Sequence, residues 1–184
     1  MNGVRCLFIL LHAQLTLQKK KKIMDKIYGA VARFDGIQQI GRTTFEVFYG
    51  FGEDDNGKFQ YRQTLPYKPP FEFVKDMILT QVNANTQEKI TSGFMWKDKL
   101  VWLSEANQLN YARDFAVAYY CEKNGEQYSL PTYKFGTDET PIFYTFESFE
   151  EFKQFSKAWA QHISDTVREG WNEKANINWN NYQI

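Results

Sequence analysis

Away from the N-terminus, this chain holds one histidine, His162, and one cysteine, Cys121, the two residue types that a thiol nucleophile and its base would need. A thiol attacks as the thiolate, so it needs an activating base or a neighbouring positive charge. Nothing in the spacing of the two residues couples them. A helical histidine beside an apolar stripe and a cysteine near a helix end also have ordinary packing roles. His12 lies in the N-terminal 23 residues, so the body offers no pair of histidines for a metal. The acidic turn Glu53-Asp54-Asp55-Asn56-Gly57 lacks the longer alternation of acids and the final Glu of an EF-hand loop, and reads as a solvated turn. Glu105 with Asp114, or Glu150 with Glu151, would serve as a glycosidase acid and base only if the fold held them across a sugar, and spacing alone does not. Gly50-Phe51-Gly52 runs from a strand into a hairpin turn, not into a helix, and lacks the rest of a nucleotide fingerprint. No catalytic residue, metal ligand or cofactor is therefore assigned, and the chain reads as a non-enzyme.

The best non-catalytic constellation is Asn107, Gln108 and Asn110 with Trp96, Trp102 and Tyr111. Amide side chains both donate and accept, so they can read hydroxyls or a backbone. Aromatic faces stack on sugars or pack against a partner. The structural alternative is equally physical. Trp102 would then be core, and Asn107 or Asn110 would pin a hairpin to a helix through side-chain-to-backbone bonds.

The elements that must position these residues read as α+β. A strand is expected over 27–34, a turn at Asp35-Gly36, and strands over 43–51 and 58–65 with alternating Phe45, Val47 and Tyr49 on one and Phe59 and Tyr61 on the other. Together they make a three-stranded antiparallel meander. Pro70 suits the first turn of a helix. Phe71, Val74, Ile78 and Val82 recur at helical spacing, so the helix runs to about residue 83 or 85. A strand follows over 90–97, a turn at Lys97-Asp98-Lys99, and a return strand over 100–103. Ser104 caps a helix that starts at Glu105 and ends near Tyr119. A second hairpin is expected from strands 128–135 and 142–146. Ser148 and Glu151 form a capping box before the stripe Phe149, Phe152, Phe155 or Ser156, Trp159, Ile163 and Val167, with Gly170 as the stop. The architecture is thus an N-terminal meander plus helix, then two hairpin–helix units ending in a long amphipathic helix.

Three regions differ in composition: a leader at 1–23, an N-terminal antiparallel sheet at 24–68, and an α+β domain at 69–184. The leader's apolar run, Leu7 to Leu11, is too short to span a bilayer. Its four lysines, Lys19 to Lys22, follow the apolar run, where a signal peptide would carry them before it. Native translation is expected to start at Met24. From there on the chain holds 17 basic against 22 acidic side chains, a net charge of about −5. A mildly acidic body argues against nucleic-acid binding, which needs a basic face, and no membrane partner is expected. Sixteen Phe, eleven Tyr and five Trp are roughly twice the usual aromatic share, as large cores and contact surfaces require. Two cysteines make no disulfide framework.

Residues 72–179 resemble an uncharacterised domain family of phage and prophage proteins, members of which are often tail-associated. The resemblance is carried by Ile90, Ser92, Gly93 and Phe94 on a first strand, and by Val101, Trp102, Leu103 and Ser104 closing the hairpin. Asn107, Gln108 and Asn110 at the helix start, Phe143, Thr145 and Phe146 on a later strand, and Phe149, Phe152 and Phe155 complete it. It brings no catalytic residues. It implies a virion component, or a protein in the cytoplasm of the infected or lysogenic bacterium, with a role in tail structure or assembly. Its partners would be other tail or virion proteins, or a second copy of itself. A host glycan or receptor, or a host protein to be inhibited, are the alternative partners.

Overall fold

The computed structural model describes residues 24–29 and 34–184. The expected leader, and residues 30–33 of the first expected strand, lie outside the described residues. By internal contacts the chain divides into two compact units, one made of the described residues up to Val82 together with Asn176–Ile184, the other of Asn83–Ala175. The sequence places a compositional change at 68/69. The division by contacts falls at 82/83, and the C-terminal tail goes with the first unit.

The first unit is a four-stranded antiparallel sheet in the order β1-β4-β3-β2, with β1 at Asp25–Tyr28, β2 at Gly36–Gln39, β3 at Phe45–Asp54 and β4 at Gly57–Leu65. The expected three-stranded meander is corrected here. Gly36 opens an edge strand where a turn was expected, because Gly36 to Gln39 pair with Phe48 to Phe45. β3 and β4 join through a tight turn in which Asp54 Oδ1 accepts from Asn56 N at 2.9 Å and Gly57 adopts φ 104°. The pairing slips between Tyr49 and Gly52, a β-bulge. A Cβ on Gly52 would sit 2.7 Å from the Phe59 ring, so the ring packs closely over the bulge. The Gly-Phe-Gly stretch is thus a packing device of the sheet.

Helix α1, Phe71–Thr91, follows the prolines and starts with Val74 N bonded to Pro70 O. Its Val74, Met77, Ile78 and Val82 join Val47, Tyr49, Leu65 and Tyr182 in the first core. α1 outruns the expected end at 83 or 85, and the expected strand 90–97 shortens to β5, Phe94–Trp96. Ile90 is buried in the second core, and that burial carries the helix past polar Asn83 and Asn85. Gly93 makes the turn into β5 at φ 90°, where a Cβ would meet Val101 O at 2.0 Å.

β5 pairs with β6, Lys99–Val101, through a two-residue turn in which Lys97 and Asp98 both have positive φ, 45° and 60°. Helix α2, Glu105–Asn124, runs one turn beyond the expected end and closes on Gly125 in the left-handed region. β7, Thr132–Gly136, pairs with β8, Pro141–Thr145. Helix α3, Phe149–Ala175, passes straight through Gly170, the expected stop. Gly170 is buried there, and a Cβ on it would meet Thr86 Oγ1 at 2.4 Å. The glycine allows a close approach to α1 and leaves the helix unbroken. Among the described residues no helix is long and apolar enough to cross a membrane.

Candidate functional site

The hairpin–helix joint that the sequence singles out is tied together by backbone-directed bonds. Ser104 Oγ caps α2 by accepting from Asn107 N at 3.2 Å. Asn107 Nδ2 donates to Trp102 O at 3.0 Å, and Gln108 Nε2 to Leu103 O at 2.6 Å. The carbonyls of Trp102 and Leu103, which follow β6, are thereby satisfied. Trp102 Nε1 in turn donates to Gly136 O at 2.7 Å, fixing the indole against the end of β7.

These bonds frame a cleft of about 420 Å³ within the second unit. Trp102, Asn107, Asn110 and Tyr111 line it from the β6–α2 side, and Tyr133, Lys134, Gly136 and Asp138 from β7 and its turn. Four of the six sequence candidates therefore meet at one place. Trp96 does not join them. Its ring packs edge-on to Phe155 at 5.6 Å within the core, and its Nε1 is buried without a hydrogen-bond partner. Gln108 sits half-buried at the joint, committed to Leu103, and does not line the cleft.

The amide of Asn110 makes no hydrogen bond among the described residues, so it is the readiest polar reader in the cleft. Tyr111 is buried, and burial pushes its phenol up to about 12. Tyr133 is raised by burial and by its bond to Asp114 Oδ2 at 3.0 Å. Asp138 is lowered by Lys134, whose Nζ lies 2.5 Å away. All three shifts run away from neutrality, opposite to the tuning that general acid–base catalysis needs. The cleft can stack a ring on Trp102 and exchange hydrogen bonds at Asn110, and its one charge pair neutralises itself.

The other chemical candidates are drawn into structure. Cys121 is buried on α2 with no hydrogen bond to His162 among the described residues. The His162 ring stacks on Phe94 at 5.6 Å. Glu105 and Asp114 are nine residues apart on α2, which puts them on opposite faces and about 13 Å apart along the axis. Asp54 accepts from Lys26 Nζ at 2.7 Å and from Tyr28 at 2.8 Å. Glu151 is buried and accepts from Lys97 Nζ at 2.5 Å, from Tyr144, and from Glu147 N at 2.8 Å. Its capping role is thus displaced by one residue from the expected box, while Ser148 Oγ accepts from Glu151 N at 3.2 Å. Among the described residues no three or more His, Cys, Asp or Glu side chains cluster as a metal site would need.

Tyr133, Lys134, Gly136 and Asp138 were not among the sequence candidates. They lie about thirty residues from Trp102, and no local pattern says that β7 runs beside β6. The only signal was the Gly136-Thr137-Asp138-Glu139 turn, which reads as ordinary loop chemistry. Comparison with family models, curated proteins and solved structures finds no match for this chain.

Proposed function

We propose that this is a non-enzymatic protein that works through protein–protein contacts, in a phage or prophage tail-associated structural or assembly role. The setting comes from the resemblance of residues 72–179. The observation that carries the mode of action is the apolar surface of the second unit. Leu109, Val117 and Tyr120 on α2 are 71 %, 56 % and 60 % exposed, and Phe143 on β8 is 75 % exposed. Large apolar side chains left this exposed are what protein-interaction faces carry. Quantitative mass spectrometry of purified virions tests the role. A fixed copy number per particle is expected, and absence from particles that are otherwise complete would sink it.

The cleft favours a second reading, a glycan- or receptor-binding module. A fixed indole face beside an unbonded amide suits a neutral, hydroxyl-rich ring. Host polysaccharide should then change the tryptophan fluorescence of the wild type but not of Trp102→Ala. Trp96→Ala is unsuited to that test, because Trp96 packs in the core. An unchanged wild-type spectrum across a polysaccharide titration would remove this reading.

A further inference from the structure

Helix α2 is apolar on two sides. Its inward side carries Tyr111, Ala118 and Cys121, all buried. Its outward side carries Leu109, Ala112, Ala116 and Tyr120 at three- and four-residue spacing, all exposed, with Arg113 beside them and held to Asp114 at 2.8 Å. A monomeric surface helix needs only one apolar stripe. The second has no occupant within the described residues.

The chemistry of this face selects its occupant. Ala112 and Ala116 sit near the middle of the helix, with the larger Leu109 and Tyr120 on either side. A second α2 laid antiparallel places each Leu109 beside a Tyr120 of its mate. Alanine against alanine at the centre permits the closest helix approach, about 8 Å between axes. Glu105 and Lys123 close the argument. They are eighteen residues apart, which at about 3.6 residues per turn is five turns, so both point in line with the stripe, one at each of its ends. Both are exposed and neither forms an ion pair among the described residues. Antiparallel pairing about a two-fold axis sets the start of one stripe against the end of the other, so Glu105 of each copy meets Lys123 of the other, twice. A parallel arrangement would set Glu105 against Glu105.

The geometry points to a two-fold homodimer in which α2 packs antiparallel on α2 of a second copy. This rests on the protein-contact reading above and names one partner for it. A two-fold contact of this kind is self-complementary and closes at two copies. One helix pair covers less than the roughly 800 Å² per partner of a standard interface, so the dimer should dissociate on dilution.

The test is the mass of the full-length protein by light scattering and sedimentation across a concentration series, with variants at exposed positions. The wild type should pass from monomer to dimer. Ala116→Glu, which puts bulk and charge at the axis, should abolish the dimer while leaving the circular dichroism unchanged. Glu105→Lys and Lys123→Glu alone should each weaken it by about tenfold, since each turns two attractive pairs repulsive. The double variant Glu105→Lys/Lys123→Glu should return to within about threefold of wild type, a rescue that general surface effects would not give. A wild type that stays monomeric, a mass of three or more copies, or a dimer indifferent to Ala116→Glu would each overturn the inference. None of these would touch the wider reading, which stands or falls on virion content.

Discussion

The core that the sheet forms with the start of α1 and the core that gathers around α3 are made of different materials. The first is mainly aliphatic, with Phe45, Tyr49, Tyr61 and Tyr182 among its buried side chains and three buried glutamines, Gln60, Gln63 and Gln81. Directional bonds cross it between segments far apart in sequence: Met24 N donates to Gln81 Oε1 at 2.8 Å, and Tyr182 Oη to Phe48 O at 3.0 Å. The second is richer in rings: Tyr111, Phe135, Phe146, Phe152 and Phe155 are buried beside Ile90, Val101, Leu103 and Ala118. Phe155 alone lies within about ring-packing distance of Tyr111, Phe135, Phe146 and Trp96. The contrast follows from the elements available. A four-stranded sheet built on two strands of ten and nine residues has area enough for aliphatic packing, and its remaining problem is to fix a tail and an edge in register. Two hairpins with strands of three to five residues have little area of their own, so large rings must reach α3 to make a core.

This contrast can be broken or sharpened by four measurements of unfolding. Phe155→Ala should have the largest effect, a loss of about 3–5 kcal/mol with collapse of the near-ultraviolet circular dichroism, whereas Ile78→Val in the first core should cost only about 0.5–1.5 kcal/mol. Glu151→Gln comes next, at about 1.5–3 kcal/mol near neutral pH, since it removes a carboxylate that holds Lys97, Tyr144 and Glu147 N. Burial raises the Glu151 carboxyl, but those three bonds outweigh it and bring the group down from 4.5 to about 2. A depressed carboxylate stabilises above its unfolded value and loses that contribution as pH falls from about 4.5 through about 2. Acid titration of stability should therefore be steeper in the wild type than in Glu151→Gln over that window.

Gly170→Ala should cost about 1–3 kcal/mol by overpacking against Thr86, despite the better helix propensity of alanine. Adding Thr86→Ala should recover most of that loss, and thermal melts of the pair would show it. The smallest effect is also the most discriminating. Tyr182→Phe removes a well-formed buried bond and should cost about 1 kcal/mol. Tyr111→Phe removes only a 3.5 Å contact to Trp102 O and should cost almost nothing in denaturant titrations. Equal costs for the two tyrosines would break the contrast between a hydrogen-bonded core and a ring-packed one.

Much of this architecture was legible because it is written locally. Ser104 and Ser148 mark helix starts, the Phe152–Phe155 stripe marks a buried face, and both hairpin–helix units follow from alternation and turns. Boundaries failed where a tertiary contact overrules a local signal. Gly170 reads as a stop until Thr86 fills the space of its missing side chain. Gly36 reads as a turn until β3 supplies a partner strand. Half of the cleft was visible, since Asn107, Asn110, Tyr111 and Trp102 cluster within ten residues. The β7 half was not, because which strand lies beside Trp102 is decided by packing on α3 and not by any neighbour in the chain. The outward stripe of α2 was overlooked for a related reason: apolar residues on both faces blur the helical period that pattern reading depends on.

The turn at Lys97-Asp98 has a further bearing, on the order in which the chain assembles. Two consecutive left-handed residues without a glycine cost roughly 1–2 kcal/mol each, so the β5–β6 hairpin is a poor candidate for an early, self-standing nucleus. The Lys97 ammonium is bonded to Glu151, which stands in the first turn of α3. The expected order is therefore helix before hairpin, with Trp96 and Phe94 packed only once that helix is in place, and a φ-value near zero for Lys99→Ala in β6 would show it.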